Sequence, residues 1–130
     1  MKKEIEKMRL GLCLTVALGA LTATPAAAQS MNAEEFLERA TKLEKKGVMA
    51  LMAKDRKPLE RELVATMKQL SEERRATVAA GRTPAYCPPE GGKLGAQQYL
   101  RLLRAVPQAE RRRMTLRQAT VRAFAIEYPC

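Results

Sequence analysis

The sequence predicts an all-α protein, a small bundle of four to five helices with one disulfide, formed by residues 29–130 as a single α-helical domain behind a signal peptide over 1–28. Three observations carry this expectation. Apolar residues recur at helical spacing in successive segments, and no stretch alternates with the period of two that a half-buried strand needs. Glycine and proline fall where those segments stop. Two cysteines remain once the leader is set aside, and an even pair in an exported chain reads as a disulfide.

The leader is read from three consecutive features. Lys2, Lys3, Lys7 and Arg9 form a basic start. Leu10 to Leu21 is a nearly unbroken apolar run, shorter than the ~20 residues a spanning helix requires. Pro25 then breaks the helix, and Ala26-Ala27-Ala28 supplies the small residues that a signal peptidase reads. Cleavage is expected between Ala28 and Gln29, with a periplasmic or secreted product and no stable membrane insertion. Cys13 leaves with the leader, so Cys87 and Cys130 are the expected pair. Closing a loop of about 44 residues is worth roughly 4 kcal/mol on the chain-entropy estimate.

The first helix is expected over 33–46. Asn32 with Glu35 makes a capping box, Phe36, Leu37, Ala40 and Leu43 share one face, and Gly47 stops the helix after Lys45 and Lys46. Residues 48–53, Val-Met-Ala-Leu-Met-Ala, suit one or two helical turns with the methionines filling gaps in the core. Asp55 to Pro58 starts a long helix, 58–80, with Leu59, Leu63, Met67 and Leu70 as its stripe. Past Leu70 the stripe weakens through Arg74, Thr77 and Val78, so the far end is expected to be less buried. Gly81 and Pro84 end it.

Residues 83–93 hold three prolines and two glycines and read as a loop that Cys87 pins to the domain. Helix 94–105 follows, with Tyr99, Leu102, Leu103 and Val106 at i, i+3, i+4 and i+7 and Pro107 as its stop. Gln108 to Arg113 is a basic connector. Thr115 and Gln118 cap the last helix, 116–127, which is apolar nearly all round except for Arg117, Gln118 and Arg122 and is expected to be central.

Composition excludes more than it identifies. The chain has 24 basic and 14 acidic residues and no histidine. Histidine-dependent nucleophilic systems and the common zinc sets are therefore absent. Glu34-Glu35 and Glu72-Glu73 are adjacent on helices, so each pair points about 100° apart and does not converge on a substrate. Gly91-Gly92 and Gly95 lack the preceding strand of a dinucleotide fingerprint. No cofactor or metal and no catalytic residue is expected. With five aromatic residues and no tryptophan, stacking platforms are thin and no nucleic acid partner is expected. Loss of the leader removes four basic and two acidic residues and leaves +8 on 102 residues, a balance that suits anionic partners or a merely solvated surface.

One stretch resembles a known family. The order Tyr86-Cys87-Pro88-Pro89-Glu90-Gly91, then Tyr99-Leu100, then Pro107, then an alanine-rich helix ending Tyr128-Pro129-Cys130, is similar to the Rap/Tai family of exported immunity proteins against type VI secretion amidase effectors. The match covers about residues 84–130, and Cys87 and Cys130 fall on that family's disulfide positions. The resemblance implies an α-helical periplasmic protein that binds and blocks a cell-wall amidase, and for some members a homodimer. The candidate partner-binding residues are Pro88, Pro89, Glu90 and Gly91 on a loop stiffened by proline, and Arg111, Arg112 and Arg113 on the basic connector. Each set has a plain alternative, an inter-helix loop and a solvated turn. A competing function is a general cationic envelope protein that uses the arginines on anionic lipid, polysaccharide or peptidoglycan.

Overall fold

Asn32 sets the start of the first helix. Its Oδ1 accepts from the backbone N–H of Glu34 at 2.9 Å and of Glu35 at 3.2 Å, which satisfies two of the donors a helix start leaves open. The computed structural model describes residues 30–130, so the leader and the Ala28–Gln29 cleavage position lie outside the described residues. Five α-helices follow in order: α1 Ala33–Lys45, α2 Arg56–Ala79, α3 Ala96–Ala105, α4 Gln108–Arg111 and α5 Leu116–Glu127, with a 3₁₀ segment, Gly47–Met52, between α1 and α2. The described residues contain no strand. The all-α class and the Cys87–Cys130 disulfide are as expected.

The helix α5 is the packing centre, against α1, α2, α3 and α4. Leu116, Ala119, Thr120, Ala123 and Phe124 are buried on it. It is not enclosed on all sides: Ile126 is 46% exposed, because the face that carries Gln118 and Arg122 meets solvent and Ile126 follows it at helical spacing. The predicted capping box forms, with Thr115 Oγ1 accepting from Gln118 N–H and the Gln118 side chain accepting from Thr115 N–H. The starts of α1 and α5 lie side by side. Ala33 N–H donates to Met114 O at 3.0 Å, and Asn32 Nδ2 donates to Arg112 O at 3.0 Å.

Two expectations are corrected. The apolar residues of the 3₁₀ segment do not fill the core: Val48, Met49, Leu51 and Met52 are 63–84% exposed. The bundle already closes over Leu43, Leu59 and Leu63, and a 3₁₀ segment eclipses its side chains every third residue, so it cannot turn this whole run inward. The stretch after Pro107 is not an open connector. Residues Gln108–Arg111 form the single turn α4, and Arg111 is 8% exposed.

All five aromatic residues join one edge-to-face series. Phe36 meets Tyr99 at 6.2 Å, Tyr99 meets Phe124 at 6.4 Å, and Phe124 meets both Tyr86 at 5.2 Å and Tyr128 at 6.1 Å. Thr120 Oγ1 donates to Leu116 O at 2.7 Å, so the 2.7 Å contact with Tyr99 requires the tyrosine O–H to be the donor. Burial pushes the Tyr99 phenol up to about 12, with the Thr120 hydrogen bond opposing.

Candidate functional site

The segment between α2 and α3 is held at three points. Gly81, at φ +71°, turns the chain out of α2. Tyr86 is then buried against Phe124. Cys87 is bonded to Cys130, with Cα atoms 5.0 Å apart, and its N–H donates to Tyr128 O at 2.8 Å. Beyond these anchors Pro89, Glu90, Gly91, Gly92 and Lys93 are exposed, with Pro88 half-buried. Gly91 adopts φ +70°, so the turn requires glycine there.

The loop forms one wall of a groove of about 580 Å³ whose other wall is α2. Met67, Leu70 and Arg74 come from α2, and Phe124 and Tyr128 from the end of α5. A second groove of about 320 Å³ lies beyond Tyr86 and is bordered by Glu73, Arg74 and Arg117. There the Arg117 guanidinium grips both oxygens of the Glu73 carboxylate and ties α5 to α2. That hydrogen bonding, with a further one from Gln69, holds the Glu73 carboxyl below the ordinary range against the opposing effect of burial. Arg74 borders both grooves. Its Nε is buried and has no hydrogen-bond partner among the described residues. The site is therefore an apolar floor bordered by one cation, suited to an apolar side chain next to a carboxylate.

The candidates from the sequence separate into two places. Pro88, Pro89, Glu90 and Gly91 all line the larger groove. Arg111, Arg112 and Arg113 precede α5, whereas the groove sits at its far end, about 18 Å away along a 12-residue helix. Arg111 is buried. Its Nε donates to Glu34 Oε2 at 2.6 Å, and its Nη1 donates to Arg104 O at 3.3 Å and to Val106 O. It thus closes the end of α3. Gln108 Nε2 reaches the other Glu34 oxygen at 2.8 Å. The Arg111 hydrogen bond is the main cause that lowers the Glu34 carboxyl; burial opposes it, and Gln108 and the charges of Arg111 and Arg112 assist. Arg111 is a structural residue, and only Arg112 and Arg113 remain exposed.

Periodicity reads Arg74 only as the place where the α2 stripe weakens, not as a site residue. Arg74 follows Leu70 by four positions, so a cation continues an apolar stripe, and that break in pattern is the signal. Among the described residues no three His, Cys, Asp or Glu side chains gather as a metal site, and no helix is long and apolar enough to cross a membrane. Searches against family models, curated proteins and solved structures return no match.

Proposed function

We propose that the chain is an exported immunity-like protein, not an enzyme, that binds and blocks a cell-wall amidase toxin through loop 88–93 and the groove behind it. The observation that carries the reading is the loop's anchoring. A disulfide, a backbone hydrogen bond and the buried Tyr86 hold its base, so the ordering cost of presenting Pro89 to Lys93 is largely met before binding. The disulfide also joins the two segments that carry the Rap/Tai resemblance. Glu34, the one buried carboxylate among the described residues, is committed to Arg111, and the half-buried Glu73 to Arg117. This favours binding over acid–base chemistry. The cationic-envelope alternative built on Arg111, Arg112 and Arg113 loses its first member to Glu34.

Protection tests this reading. Cells made to export a peptidoglycan amidase effector from the organism that carries this gene should stop growing, and production of the chain should restore growth. Arg74→Ala with Glu90→Ala should remove protection while the protein accumulates at its usual level. Unrelieved lysis in the presence of folded wild-type protein would end the proposal.

A further inference from the structure

We infer that the 3₁₀ segment and the lysines around it form a docking surface for an anionic phospholipid bilayer, on a part of the molecule distinct from loop 88–93. The first observation is exposure. Val48 is 83% exposed, Met49 63%, Leu51 68% and Met52 84%, four large apolar side chains within five residues. A soluble surface rarely keeps such a cluster without use.

The second observation is charge. Residues 42–57 carry six basic and two acidic side chains, a net of +4. Both acids are already paired with arginines, Glu44 with Arg104 at 2.5 Å and Asp55 with Arg39 at 2.8 Å. Every ion pair among the described residues uses arginine as its cation. Lys42, Lys45, Lys46, Lys54 and Lys57 are exposed and take part in none of them. Five of the seven described lysines thus bracket the apolar segment.

The third is rigidity. Arg39 donates to both Glu35 and Asp55 and so fixes the start of α2 against α1, which sets the segment as a knob between two helices. An interfacial element needs this combination: apolar side chains that enter the acyl boundary and long basic stems that hold their ammonium groups at the headgroups. A second copy of the chain fits worse. Two-fold pairing would set the same patch against itself, with Lys45, Lys46, Lys54 and Lys57 facing their own equivalents. No helix spans, so the contact is peripheral.

The chain has no tryptophan, so Met49→Trp gives a single reporter within the patch. The protein is taken as processed and recovered from the cell envelope. Vesicles of phosphatidylglycerol and phosphatidylcholine in equal parts should shift the indole emission to the blue, and brominated acyl chains should quench it. Phosphatidylcholine alone should do neither, and high salt should reverse the shift. Val78→Trp, on the far end of α2, should stay unchanged. Adding Lys45→Gln and Lys46→Gln should weaken partitioning about thirtyfold, from ~1 kcal/mol per basic side chain. Without any tryptophan, the parent chain should co-sediment with the mixed vesicles, and Met49→Ser with Met52→Ser should not. An indole unmoved by the mixed vesicles, moved equally by phosphatidylcholine alone, or moved by protein concentration without vesicles would overturn the inference.

Discussion

Replacing Arg111 with methionine is the sharpest test of how this bundle is held. The side chain is 8% exposed and bonds at once to the Glu34 carboxylate and to the carbonyls of Arg104 and Val106. Arg111→Met therefore leaves a buried carboxylate with only Gln108 and strips the cap from α3. Breaking a buried pair on one side costs about 3–5 kcal/mol, against a total of roughly 5–15 for a domain. At ~4 °C per kcal/mol or more for this size, Tm should fall by at least ~12 °C. Urea unfolding followed by circular dichroism would measure it. Glu34→Leu in the same chain should restore part of the loss, because the orphaned charge goes with it. The pH dependence has a fixed sign. The Glu34 carboxyl sits below its ordinary value of 4.5, so its contribution is full above that value and is lost as pH falls through the lower folded one. Glu34→Gln should flatten that acid limb. If Arg111→Met costs no more than Arg112→Met, which should stay within about 0.5 kcal/mol, the buried pair is not holding the fold.

Three further outcomes follow. Cys130→Ser should cost ~2–5 kcal/mol and loosen the chain end around Tyr128, and thiol labelling of native protein should find Cys87 and Cys130 unreactive before reduction. Alkaline titration should show stability lost as pH rises from the ordinary tyrosine value of 10.0 toward the folded Tyr99 value of about 12, since the unfolded phenol ionises first; Tyr99→Phe should shrink that limb to the share of Tyr86, whose phenol burial also raises. Proposed export predicts that mass analysis of envelope protein finds Gln29 as the first residue, and intact Met1 would contradict it.

The elements were legible because this sequence states its helix ends locally. Asn32, Thr115, Gly81 and Pro107 act within a few residues of where they stand, and the structure uses each as a boundary. What the sequence hid is non-local. Glu34 and Arg111 are 77 positions apart, and no spacing rule couples a first-turn glutamate to an arginine in a basic run. The same limit hid Arg74, whose significance depends on the loop that folds across it. The segment 48–52 misled for the opposite reason: apolar composition suggests burial, but only tertiary contacts decide whether core space is left for it.

The motif that suggested a family is itself largely accounted for by packing, and this locates where recognition would have to lie. Tyr86, Tyr99 and Tyr128, three of its markers, all belong to the aromatic series through Phe36 and Phe124. Cys87 and Cys130 lock the same corner. Those residues are constrained by the fold whatever the partner. Glu90 and Lys93 are exposed beyond that corner and contribute little to it, so they can change without cost to the bundle. Phe124→Ala should therefore lose ~3–5 kcal/mol and collapse the groove that Phe124 lines. Glu90→Ala should leave stability within about 0.5 kcal/mol and act on partner affinity alone. Loss of stability in Glu90→Ala comparable to that in Phe124→Ala would mean that loop and core are one unit and that binding is not separable from folding.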